Sequence, residues 1–279
     1  MKKIRILLFC VFCLVHTGNA ATISPASFCL EKFDIGMNTD LGIELVLSDV
    51  SNLGPIDLNV RKPKRTRLLK GYEPIPDASW FYFLNQQIVP GKDGRAKARM
   101  FLKVPHDQKY LNQHWIVHVA ASPPKVGLFS MDLVGIYMIE TRSSAKITIP
   151  PYGPLGVVPS RLHLKKMVSG KNKTGLFVVY NNEKMPQTYH ISVQTYQPSL
   201  YTKLQISQAP GFEWIKDVKW ATLSHSKVSI AGNSKKEMHV QVNIPKGHHC
   251  KGEGWEAIIM VESINKSGPA GFLRLLLSN

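Results

Sequence analysis

Three groups of residues have the types and spacing to do chemistry. The first is His248-His249-Cys250 with Glu253 close behind. Imidazole, thiolate and carboxylate groups are ligands for zinc and copper. Adjacent histidines point in different directions, however, and no spaced partner pair accompanies them. A polar loop without a metal is therefore expected. The second group is the run Arg61, Lys62, Lys64, Arg65 and Arg67, with Lys70 just after it. Such a run is either a solvated loop or a landing site for anionic glycan, membrane headgroups or an acidic protein. The third is two tryptophan pairs, Trp80 with Trp115 and Trp220 with Trp255. Indoles can stack on a sugar, but matched placement in two otherwise different halves argues for core packing. No Gly-x-Ser-x-Gly elbow, HExxH helix or phosphate-cradling glycine loop occurs. No catalytic residue and no cofactor are expected, and the chain is read as a non-enzyme.

The elements that position these groups come from an internal repeat. An offset of 140 carries Trp80 onto Trp220, Ile88 onto Val228, Met100 onto Val240, Pro105 onto Pro245 and Trp115 onto Trp255. Met238, Val240, Val242 and Ile244 alternate with Glu237, His239, Gln241 and Asn243. That period-two pattern puts one face of a strand inward and the other in water. Upstream, 42–60 matches 175–193 at an offset of 133, which predicts equivalent hairpins and a net insertion of seven residues within 194–219. Gly135-Ile-Tyr-Met-Ile resembles Gly271-Phe-Leu-Arg-Leu, so the last strands also correspond. The fold class that follows is all-β: two tandem immunoglobulin-like β-sandwich domains related by the repeat.

Residues 1–20 read as a signal peptide. Lys2, Lys3 and Arg5 precede an apolar run, and Gly18-Asn-Ala20 is a small-residue cleavage site. The expected localisation is periplasmic or secreted, with no transmembrane segment. Without those residues the chain has 32 basic and 19 acidic residues (35 − 3 against 19), a net charge of +13. Export argues against nucleic acid as the partner of that charge. Cys29 and Cys250 remain, one in each half, which excludes a bridge within either domain. They are two buried thiols, an interdomain bridge or an intermolecular one. The expected domains are 22–148 and 161–279, with a proline-rich linker at 149–160 and Ala145–Ile149 as the last strand of the first. Asn172-Lys-Thr and Asn265-Lys-Ser fit glycosylation acceptors in a eukaryotic host.

Ile88-Val-Pro-Gly91, Phe101-Leu-Lys-Val-Pro105, the strand at 136–149 and the proline linker resemble bacterial periplasmic pilus-assembly chaperones and related exported tandem immunoglobulin-like proteins. The resemblance implies an exported binding protein, chaperone-like or an assembly accessory for a surface or pilus-type protein. It would act by adding a partner's β-strand to the edge of the first domain. The edge residues are then Ile136, Met138, Ala145, Lys146, Ile147 and Ile149, and self-association is a second use of the same edge. It also implies basic residues on the first and last strands of domain one that hold a partner's terminal carboxylate. Lys32 and Lys146 are the bases available there, and the first strand has no arginine. The alternative is a structural or adhesive surface protein that binds anionic glycan or an acidic partner through its basic face.

Overall fold

The structure is a computed structural model and describes residues 21–64, 68–124, 132–195, 206, 208–265 and 268–278. Both halves are β-sandwiches, and the described residues contain no α-helix. In the first half, one sheet is ordered β1 (Thr22–Ser24), β3 (Asn38–Ser48), β8 (Ala96–Lys103), β6 (Phe81–Phe83). The facing sheet is β2 (Ser27–Phe33), β10 (Leu133–Thr141), β9 (His114–Ser122), β4 (Ile56–Arg61), β7 (Gln87–Ile88), with β5 (Glu73–Pro74) also on β9.

The second half repeats this order. One sheet is β11 (Leu155–Val158), β13 (Asn172–Asn181), β18 (Ser234–Asn243), β16 (Ala221–Leu223). The other is β12 (Arg161–Leu164), β20 (Ala270–Ser278), β19 (Gly254–Ser263), β14 (Gln187–Gln194), β17 (Lys227–Ile230), with β15 (Phe212–Trp214) on β19.

The alternating positions face inward as expected. Met100, Leu102, Met238, Val240 and Val242 are fully buried. Trp115 and Trp255 occupy equivalent core sites, with the Trp80 and Trp220 rings 5.8 and 5.7 Å away from them. Just before each outer tryptophan, an aspartate caps a single 3-10 turn. Asp77 Oδ1 accepts from Ser79 N and Asp217 Oδ1 from Lys219 N, each at 2.9 Å. The short acceptor satisfies an N–H that a turn start leaves without a backbone partner.

Four expectations are corrected. Residues 42–60 and 175–193 are equivalent but are not hairpins: β3 and β4 lie in opposite sheets, as do β13 and β14. Alternation fixes which side chains face the core, and both arrangements satisfy it. The expected linker contains β11, which pairs with β13 from Leu155↔Asn181 to Val158↔Val178. The last strand of the first half ends at Thr141, and 142–150 holds no strand. The end-to-end match also slips: Gly135 lies opposite Val119, whereas Gly271 lies opposite Val261, two places beyond the repeat equivalent of Val119.

A third apolar cluster joins the halves. Tyr72, Ile116 and Met138 from the first pack with Ile206, Ile258, Met260 and Phe272 from the second. The outer faces of β9–β10 and β19–β20 thus meet, so those strands are buried on both sides. Two-sided burial explains why Phe272-Leu-Arg-Leu-Leu-Leu277 lacks alternation.

Candidate functional site at the domain junction and the first-domain edge

The residues expected to form a partner-binding edge do not form one. Ile136 and Met138 lie on β10, which is bonded to β9 on one side and to β2 in parallel on the other. Met138 is moreover buried in the junction, with Ile136 packed beside it. Ala145, Lys146, Ile147 and Ile149 lie beyond the strand. There Ser144 Oγ bonds both the N and O of Lys146, and Thr148 N and Oγ1 donate to Gln108 Oε1. Ser27–Phe33 closes the edge because the chain crosses from one sheet to the other at Pro25.

The crossing leaves one part of β10 open. Pairing with β2 begins at Ile136↔Ser27, and Ile136 N donates to Ala26 O at 2.9 Å. Among the described residues, Leu133, Val134 and Gly135 pair with β9 alone. Backbone groups alternate sides along a strand, so the Val134 N–H and C=O point the same way as those of Ile136, where among the described residues no strand lies beside Val134. Val134 is 43% exposed. Gly135 is required: a Cβ there would sit 2.5 Å from the Tyr137 hydroxyl oxygen.

Two residues of the basic run, Arg61 and Lys70, are ion-paired within the fold. Arg61 pairs with Asp132 at 2.8 Å and Lys70 with Glu262 at 2.6 Å, while Lys62 Nζ donates to Pro76 O. Lys64 is exposed, and Arg65 and Arg67 lie outside the described residues. Among the described residues no group of histidine, cysteine and carboxylate side chains could hold a metal. Cys250 Sγ instead donates to Gly254 O at 2.9 Å. Both Cys29 and Cys250 are free thiols.

The strongest electrostatic feature was not anticipated. Arg274, fully buried on β20, donates from Nε and Nη2 to the two oxygens of Glu140 at 2.9 and 2.6 Å, and from Nη1 to Glu256 at 2.7 Å. Arg161 Nη2 reaches Glu140 Oε2 and Glu31 Oε2, both at 2.7 Å. Tyr72 OH donates to Glu140 Oε1 at 3.0 Å. Burial alone would raise the Glu140 pKa, but Arg274, His114 and Arg161 outweigh it and hold the carboxyl at about 2. Glu256 goes the other way, raised by burial despite its contact with Arg274. A two-bond guanidinium–carboxylate match favours Glu140 in the competition for Arg274. His114, buried and stacked 3.8 Å from the Phe272 ring, is pushed down by burial to about 4. Burial likewise pushes the Cys29 thiol up, with Glu140 beside it adding to the effect.

This junction inverts the charges that the chaperone resemblance implies. Domain one brings carboxylates, Glu31 and Glu140, and the second half brings the arginines. Lys146 is exposed in a loop, and Lys32 stands one residue before the end of β2 with a φ of +56°. The arginines that would attract a partner's carboxylate are already occupied. One sequence signal existed, an arginine inside the apolar run of β20, since a buried guanidinium needs an acid partner.

No known family model matches the chain, and no characterised protein matches it in sequence. Among solved structures it is similar to a protein of unknown function from Porphyromonas gingivalis W83, with 9% identity over 93% of this chain and 99% of that one and a TM-score of 0.33. It is also similar to the periplasmic chaperone SfaE (9% identity, 92% and 99% coverage, TM-score 0.31) and the class 5 fimbriae chaperone CfaA (12%, 93% and 100%, 0.33).

Proposed function

We propose that this is an exported, non-enzymatic binding protein that captures an extended segment of a partner protein by strand addition. The observation that carries the reading is the one-sided pairing of Leu133–Gly135, which among the described residues leaves the backbone of Val134 without a strand on its outer side. Main-chain bonds from an added strand supply affinity, and neighbouring side chains supply selectivity. Leu133 packs against the first core, so an added strand would lie beside apolar surface. The charged, tightly packed junction holds the second domain as a fixed flank to this site. The chaperone-like or assembly-accessory role belongs to this reading, and a second copy of the chain is another occupant of the same edge.

The test replaces Val134 with proline, which removes the outward N–H. A photoreactive side chain at Leu133 then reports contact with exported proteins of the host, read by mass spectrometry. Adducts with a defined exported protein, lost in Val134→Pro while the fold is kept, would support strand addition. Adducts of equal yield in both would end it. An adduct with a second copy of the chain in the pure protein would identify self-association as the occupant.

A further inference from the structure

Two lysine-bearing loops meet at one end of the second domain. The turn after β12 carries Lys165, Lys166 and Lys171, and β13 opens with Lys173. The loop after β18 carries Lys246, His248, His249 and Lys251. The fold brings these two loops together. Gly170 N donates to Ile244 O at 2.7 Å, and Ser169 Oγ to His248 O at 3.5 Å. The Lys246 side chain passes within about van der Waals reach of Gly170, and Lys173 Nζ donates to Lys165 O. Lys219 precedes Trp220, whose ring lies 4.7 Å from that of His248, and Lys216 Nζ lies over the Trp255 ring at 5.1 Å. The nearby acids are few and partly engaged: Glu213 accepts from Lys251 N, Asp217 caps its turn, and Glu253 lies at the rim against Gly211.

Among the described residues none of these lysines lies within ion-pair distance of a carboxylate, in contrast to Arg61 and Lys70 of the earlier run. At the tip, among Lys165, Lys166 and Lys171, the side chain of Val168 is 52% exposed while Met167 beneath it is buried.

We infer that this end of the second domain docks on an anionic lipid surface. The charges are all lysine and histidine. Ammonium groups act as point charges on flexible stems and suit a mobile, dense layer of headgroups better than one fixed phosphate. The residues sit on projecting loops, with open space around Gly247. Projecting loops meet a flat surface but do not enclose a chain. An apolar tip ringed by bases combines shallow burial of Val168 with attraction to the headgroups. This site is separate from Val134 and does not depend on strand addition.

The experiment is co-sedimentation of the full mature chain with vesicles of phosphatidylcholine, with or without about one-third phosphatidylglycerol. Binding is expected only to the anionic vesicles and should fall steeply with salt. Replacing Lys165, Lys171 and Lys246 with serine should weaken it about 100-fold, at about fivefold per lysine near the surface. Replacing Lys227, Lys235 and Lys236 removes the same charge elsewhere and should leave most of the binding. Val168→Ser should weaken binding severalfold without changing the salt dependence. Equal losses in the two triple variants would overturn the assignment, as would no preference for anionic vesicles. Insensitivity to Val168→Ser together with equal affinity for heparin would instead identify a soluble polyanion and reject the lipid surface.

Discussion

Glu140→Gln is the most informative single change to the junction. Glu140 is 1% exposed and accepts from Tyr72, Arg161 and Arg274, with all its contacts to Arg274 between 2.6 and 2.9 Å. The amide keeps the size but removes the charge and one acceptor oxygen. Arg274 then remains fully buried with Glu256 at 2.7 Å and Glu31 at 3.7 Å, and Arg161 keeps Glu31. Breaking a buried pair from one side costs about 3–5 kcal/mol because it strands the other charge. Glu256 offsets part of this by ionising more readily, so the lower end is expected. Against a total stability of about 5–15 kcal/mol the loss is large.

Urea unfolding followed by tryptophan fluorescence reads it, since each half has buried tryptophans. Arg274→Met should cost a similar amount by stranding Glu140. The double variant should cost clearly less than the sum of the singles, because partners in one network are not additive. The single changes should also split unfolding into two transitions, as the contact between the halves weakens. Additive losses, or a Glu140→Gln cost below about 1 kcal/mol, would refute the view that this cluster binds the halves together.

Acid should weaken the fold in two stages. His114 has a folded pKa of about 4, below its ordinary value, so the unfolded chain binds the extra proton first. Stability is therefore full above about pH 6.5 and falls as pH drops toward 4, by about 3 kcal/mol from this group. Glu140, held at about 2, adds a further loss as pH falls from its unfolded value through 2. His114→Leu should flatten the first stage in pH-dependent melting, and an unchanged slope would count against it. Trp255→Ala should destabilise the second domain by about 3–5 kcal/mol, since the ring is almost wholly buried. Denaturant titration that shows a cost near that of an exposed residue would contradict its core placement.

Much of the architecture was legible in residue order. Period-two alternation at Met238, Val240 and Val242 fixes strand faces because side-chain direction is a local property of extended backbone. The repeat offset of 140 carries that information from one half to the other, down to the capping aspartates Asp77 and Asp217. Strand partners were not legible. β3 with β4 looked like a hairpin because alternation is identical whether neighbours share a sheet or face each other across the core. The edge was misplaced for a related reason. Whether β10 is open depends on where β2, more than a hundred residues earlier, stops lying beside it.

The junction depends on the longest separations of all. Arg274 meets Glu140 at a sequence distance of 134, with Glu31 still farther away. Local pattern can say that an arginine within Phe272-Leu-Arg-Leu-Leu-Leu277 needs an acid. Only the packing of one sheet's outer face on the other's selects which acid, because burial and charge pairing are settled by position in space.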